Sequence, residues 1–200
     1  MKLLLDLDGT LLDARERMHG LFCRLVPGCK MNSGEYWKLK RSRNSHSKIL
    51  KEIYDYSPAQ IQNFQSEWLD QIEELYWLDK DVPFKGVTSQ LDNLSKKADI
   101  YLLTARQKPE MVKYQIEKMG WEGMFVNLIV TGGLQSKSET ISDLFLEPTD
   151  WIIGDTGHDI AVGKNRGIKT AAVSDGFLNA EVLEEYSPDL LLRRFTDFKI

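Results

Sequence analysis

Residues 3–10 read LLLDLDGT. A short apolar run closes on Asp6, Leu7 and Asp8, and the chain then meets Gly9 and Thr10. A run this short suits a fully buried strand better than a helix. Burial by itself would not select two carboxylates one residue apart at the strand's end, so the pair calls for a chemical reason. Asp-x-Asp-Gly also opens EF-hand calcium loops, but that pattern wants Asp or Asn at position 10, where this chain carries Thr, and its flank is not strand-like. A simple surface turn is the other plain reading.

The same kind of run recurs along the chain. KLLLDL (2–7) is followed by DIYLLT (99–104), NLIVTG (127–132), DWIIGD (150–155), KTAAVS (169–174) and DLLLR (189–193). Helix-compatible stretches separate the later runs. PEMVKYQIEKMG (109–120) starts with Pro109 and stops at Gly120, KSETISDLFLE (137–147) fills the next gap, and residues 159–166 fill the one after, with the punctuation expected of helices. Alternation of this kind from 83 to 200 predicts βαβ units, hence an α/β fold with a doubly wound, Rossmann-like parallel sheet. Ligands of such sheets bind beyond the carboxyl ends of the strands, near the switch in strand order, and Asp6 and Asp8 fall there.

Residues 14–80 interrupt the rhythm with polar, helix-compatible sequence. In PAQIQNFQSEWLDQIEELYWL (58–78), Ile61, Phe64, Trp68, Ile72, Leu75 and Tyr76 recur at helical spacing, predicting one long amphipathic segment. The expected organisation is a core domain of residues 1–13 and 83–200, with a small α-helical cap inserted as residues 14–82.

Composition bounds the function. A chain of 200 residues buries roughly 70% of its unfolded surface on folding, enough for a real core. Its 26 basic and 30 acidic side chains leave a net charge of −4, so no global field draws it to nucleic acid or to an anionic membrane, and a small molecule is the expected partner. The leucines near the start are interrupted by Asp6, which suits neither a secretory segment nor a spanning helix. A cytoplasmic location is the expectation. Cys23 and Cys29 lack both zinc-site spacing and the density of a disulfide scaffold, and they read as reduced thiols.

A second acidic pair stands in IIGDTGHDIAVG, where Asp155 ends an apolar run and Asp159 follows four residues later, near a helix start. An aspartate there also serves as an ordinary helix cap. Clustered carboxylates raise one another's pKa unless a cation is present. Magnesium supplies that cation, because it takes oxygen ligands and shares them with substrate phosphate and water.

The order Asp6-Leu7-Asp8-Gly9-Thr10, then LLTAR, then Lys137, then GDTGHD resembles the phosphatases of the haloacid dehalogenase superfamily, over about residues 1–13 and 83–175. The resemblance implies that Asp6 is the nucleophile and Asp8 the general acid/base. It implies that Thr104, with Ala105 beside it, and Lys137 hold the phosphoryl group, and that Asp6, Asp8, Asp155 and Asp159 form a Mg²⁺ site. The family often shows Lys-Pro where this chain reads QSKSET, so Lys164 and Lys108 compete with Lys137 for that role.

The residue types suit the chemistry. A phosphate ester repels an attacking carboxylate, so a metal ion and a lysine must neutralise it while Asp6 attacks in line to form an aspartyl-phosphate. Asp8 then protonates the leaving oxygen and later deprotonates the hydrolytic water. The implied function is a Mg²⁺-dependent phosphatase for a small phosphorylated metabolite. A sugar-phosphate mutase and a non-enzymatic binding module of the same fold are the alternatives. His158 sits inside GDTGHD, but imidazole is a poor magnesium ligand, so a surface role is expected. Arg106, just past Thr104, is a candidate for gripping a substrate phosphate or carboxylate. The run YWKLKRSRNSHSK (36–48) gathers Lys38, Lys40, Arg41, Arg43 and Lys48. Arg41 and Arg43 are candidate substrate-selecting residues of a mobile cap, against the plain reading of a solvated helix face.

Overall fold

The structure is a computed structural model, and it describes residues 1–133 and 135–200. The chain divides into two compact units, one of Met1–Asp13 with Pro83–Ile200 and the other of Ala14–Val82.

The first unit is built on a sheet. In chain order the strands are β1 (Lys2–Leu5), β2 (Leu12–Asp13), β3 (Val82–Pro83), β4 (Asp99–Thr104), β5 (Asn127–Val130), β6 (Trp151–Gly154), β7 (Lys169–Val173) and β8 (Leu190–Leu192). β2 and β3 are two-residue pieces bracketing the inserted segment. The other six pair in the order β5-β4-β1-β6-β7-β8, and every pairing in this sheet is parallel. The chain therefore grows outward from β1 through β4 to β5, then returns to the other side of β1 for β6, β7 and β8. The switch in direction falls at β1, so residues just beyond Leu5 stand at the crevice where such sheets bind ligands.

Burial explains the leucine run. Leu3, Leu4 and Leu5 are all fully buried because helices cover both faces of a parallel sheet. Leu3 and Leu5 pack with Leu91, Ile116, Trp121 and Phe195 on one face. Leu4 packs with Ile141, Val162 and Ile168 on the other. Each such side chain contributes about 1.5–3 kcal/mol on burial, so a polar residue at any of the three would be costly.

The second unit is helical, with helices at Arg15–Leu25, Ser33–Arg41, His46–Tyr54, Pro58–Gln71 and Leu75–Leu78. Their starts are specified locally. Asn32 with Glu35 and Ser57 with Gln60 form capping boxes, and Ser45 caps the third helix, each satisfying amides that a helix start leaves open. The interior is aromatic: Phe22 contacts the rings of Tyr36, His46, Tyr54 and Phe64. Arg17 donates to Asp81 at 2.9 Å and to the Ile72 carbonyl at 3.3 Å, tying the start of the unit to its end.

Several expectations need correction. The segment 58–78 is not one helix: it ends at Gln71 and resumes at Leu75, so Leu75 and Tyr76 are exposed while Trp77 and Leu78 are buried. The expected helix over 137–147 stops at Thr140: beyond it the Ser142 and Leu144 amides donate to the Glu139 and Ile141 carbonyls as successive tight turns, while the carbonyls of Ser142 and Leu144 accept from the Arg166 guanidinium. In the basic run 36–48, Tyr36 and Trp37 are buried, whereas Lys38, Arg43 and Lys48 are exposed and Lys40 and Arg41 half-buried. Cys23 and Cys29 are joined as a disulfide, with Cα atoms 5.2 Å apart. The helix from Arg15 ends at Leu25, and Gly28, at φ 76°, turns the chain back so that Cys29 meets Cys23.

Candidate active site

Asp6 directly follows β1, and its amide still donates to the Ile153 carbonyl at 2.9 Å, so the sheet fixes its backbone. Lys137, the first residue of a short helix capped by Ser136, is buried and reaches across. Its ammonium donates to Asp6 Oδ1 at 2.5 Å and to Asp159 Oδ1 at 2.6 Å. Asp159 is set by the next helix, Gly157–Arg166, where Thr156 and Asp159 form a capping box. Its other oxygen, Oδ2, accepts from the Thr156 hydroxyl at 2.6 Å.

Asp155 follows β6 and is fully buried. Its Oδ2 accepts from the Phe177 amide at 2.6 Å, and Oδ1 accepts from the Thr10 hydroxyl at 3.4 Å. Two glycines make room for it. A Cβ on Gly9 or on Gly176 would overlap the Asp155 carboxylate, and Gly9 also holds φ 84°, a conformation costly for any residue with a side chain.

Asp6, Asp155 and Asp159 offer carboxylate oxygens within 4.8 Å of one another. Three buried carboxylates against one lysine leave an uncompensated negative cluster, and the titration of the group reflects it. Burial raises Asp6 to about 7, opposed by Lys137 and reinforced by the charges of Asp159 and Asp8. Asp155 is pushed well above the usual carboxylate range by burial, then by Asp6 and Asp159. For Asp159 burial acts upward, but the charge and hydrogen bond of Lys137 outweigh it and hold the acid low. Burial opposes the charge of Lys137, yet attraction to Asp159 and Asp6 raises its pKa. All the donors are hard oxygens, and their excess charge is what a divalent cation neutralises, so the residues fit a divalent metal.

Asp8 is outside that cluster, unlike the four-aspartate set expected. Its carboxylate is gripped by Arg106, Nε to Oδ2 at 2.5 Å and Nη2 to Oδ1 at 2.7 Å. Arg106 is thereby turned to a protein carboxylate, where a substrate contact was expected. Thr104 ends β4, buried, and its hydroxyl accepts from the Arg106 amide at 3.4 Å. Ala105 and His158 are exposed. Arg41 and Arg43 belong to the helical unit. Arg41 ends a helix, and Arg43 takes φ 60° in the turn that follows. Gly176 and Phe177 escaped the sequence reading. No motif announces them, because their role is to shape the chain around Asp155 from beyond β7. Thr156 carried a signal, the T-x-x-D of a capping box.

The fold and this site define the class: a doubly wound α/β protein with a buried acidic cluster at its strand ends. The family model described as haloacid dehalogenase-like hydrolase matches residues 3–173, and the chain belongs to that family. It is an enzyme, a hydrolase of the phosphatase type. It is 27% identical over 213 residues to the pyrophosphatase PpaX of Bacillus cereus strain B4264, covering 97% of this chain and 92% of the relative. A PpaX of Bacillus velezensis is 40% identical over 58 residues, a local match to 28% of this chain and 27% of that one. Among solved structures, a haloacid dehalogenase-like hydrolase of Bacteroides fragilis aligns over 98% of both chains with a TM-score of 0.78 and 15% identity. One from Streptococcus pneumoniae aligns over 98% of this chain and 95% of its own, with a TM-score of 0.75 and 18% identity. At such identities the likeness to solved structures is one of fold. No helix among the described residues is long and apolar enough to cross a membrane.

Proposed function

We propose that the protein is a Mg²⁺-dependent phosphatase that hydrolyses a small phosphorylated metabolite through an aspartyl-phosphate on Asp6. The observation that carries this reading is the buried constellation itself: Asp6, Asp155 and Asp159 with carboxylate oxygens within 4.8 Å of one another, and Lys137 bridging Asp6 and Asp159.

Asp6, Asp155 and Asp159 would hold the cation, which when bound offsets their charge and that of the phosphoryl oxygens. Lys137 is anchored between two carboxylates and keeps its own charge beside the incoming phosphoryl group. Thr104, at the end of the neighbouring strand, offers a hydroxyl to the same group. Asp6 attacks phosphorus in line, the bond to the leaving oxygen breaks, and Asp8 delivers a proton to that oxygen. Water then attacks the aspartyl-phosphate and gives its proton to Asp8, the bond from phosphorus to Asp6 breaks, and phosphate leaves. Arg41 and Arg43 are assigned to recognition of the part of the substrate that is not transferred.

The relatives named pyrophosphatase put pyrophosphate on the substrate panel beside sugar phosphates, nucleotides and phosphoglycolate. Purified protein with Mg²⁺ is expected to release free phosphate from at least one of these, and chelation with EDTA is expected to abolish the release. In Asp155→Asn the Mg²⁺ concentration for half-maximal rate should rise at least tenfold. A product isomer without free phosphate, or turnover indifferent to EDTA, would contradict the reading.

A further inference from the structure

The grip of Arg106 on Asp8 is not explained by substrate binding. Both groups are fixed from behind. Arg106 sits two residues past β4, with its amide donating to Thr104 Oγ1 and its carbonyl accepting from the Gly132 amide at 3.1 Å. Asp8 lies beyond β1, where it bridges to Leu12, and the next amide, that of Gly9, donates to the Leu12 carbonyl at 2.8 Å. β1 and β4 are neighbours in parallel register, Leu5 beside Leu102, so their carboxyl-end loops emerge side by side. The guanidinium side chain is 4% exposed and the carboxylate 20%. A fork-to-fork pair of this kind fixes the plane of the carboxylate as well as its position, which a single-point lysine cannot do.

We propose that Arg106 is a positioning residue that orients Asp8 for the water-activating half of the reaction. A guanidinium only donates, so both Asp8 oxygens act as acceptors in this pair, and a carboxylate oxygen carries two lone pairs. That is the geometry of a base. In the second half-reaction the water oxygen bonds to phosphorus, the bond from Asp6 to phosphorus breaks with its electron pair returning to Asp6, and the water proton passes to a lone pair of Asp8. The first half-reaction, with a leaving group that needs no proton, asks nothing of Arg106. The inference rests on the reading of Asp6 as nucleophile and Asp8 as acid/base.

The test is rapid-quench kinetics with p-nitrophenyl phosphate and Mg²⁺ on wild type, Arg106→Ala, Arg106→Lys, Asp8→Asn and the Arg106→Ala/Asp8→Asn double variant. Loss of one positioned base costs about 10²-fold or more in general, so steady-state kcat of both Arg106 variants should fall roughly 10–100-fold. Their initial burst of p-nitrophenolate should persist, phosphoenzyme should accumulate, and KM should fall with kcat so that kcat/KM is nearly kept. The double variant should be no slower than Asp8→Asn. Arg106→Lys keeps charge and bulk and carries the test should the alanine variant not fold. A rise in KM at unchanged kcat would overturn the inference in favour of a substrate contact, and an equal loss of burst rate and turnover would overturn it in favour of a structural role. Failure of the underlying reading looks different: Asp8→Asn would turn over at the wild-type rate with no burst.

Discussion

At the residue scale the site depends on close approach as much as on charge. Gly9 must hold φ 84° and leave room for Asp155, two demands that no other residue meets together. Gly28 has a similar φ of 76° with open space around it, so it isolates the backbone contribution. Gly28→Ala should lower the unfolding free energy by about 1–2 kcal/mol, the cost of a left-handed residue with a Cβ, and leave phosphatase activity alone. Gly9→Ala should cost more and suppress activity, because Asp155 must move. Equal losses in urea denaturation, with activity intact in both, would contradict this account of Gly9. Asp6, Asp8 and Asp155 were legible because a carboxylate ending an apolar run has no packing reason to be there. The Arg106–Asp8 pair was not legible: 98 residues separate the two, and only the adjacency of β1 and β4 brings them together.

At the element scale, strands read more truly than helices. β4 has the expected bounds of 99–104, whereas the other core strands are trimmed by one or two residues at their ends. A buried parallel strand is specified by a continuous apolar run, which is local. Helix ends are less sharply specified than buried strands, and the segment after Thr140, which runs into turns whose Ser142 and Leu144 carbonyls meet the distant Arg166, illustrates this. His46 is a second case. It opens its helix, accepts or donates at 2.7 Å with the Tyr36 hydroxyl, and lies 4.2 Å from the Trp68 ring, so a residue in a basic run becomes part of an aromatic interior. Burial, then the charge of Lys40, pushes its pKa down to about 3. The unfolded chain takes up a proton at His46 near pH 6.5 while the native unit resists until about pH 3, so this contribution to stability is complete above pH 6.5 and is lost as pH falls toward 3. Unfolding free energies at pH 7 and pH 4.5 should therefore shift in favour of His46→Phe, relative to wild type, at the lower pH. A difference that does not change with pH would contradict the burial of a neutral His46.

At the scale of the whole molecule, the doubly wound sheet gathers groups from four separate stretches of chain onto one crevice. Thr104 ends β4, while Asp6, Lys137 and the pair Asp155 and Asp159 follow β1, β5 and β6 respectively, and no local segment holds a working site alone. That is why the order of the motifs was more informative than any one of them. The fold class could be read from the alternation of runs, because parallel strands need crossovers and crossovers are helices. The central claim is that chemistry passes through a covalent phosphoryl group on Asp6. It is tested most directly by acid-quenching the enzyme during turnover of a good substrate and mapping the phosphoryl group by peptide mass spectrometry. The account predicts phosphate on the peptide containing Asp6, and on Asp6 itself after fragmentation, with none formed in Asp6→Asn, which also loses turnover. Phosphate on another residue, or turnover retained by Asp6→Asn, would contradict it.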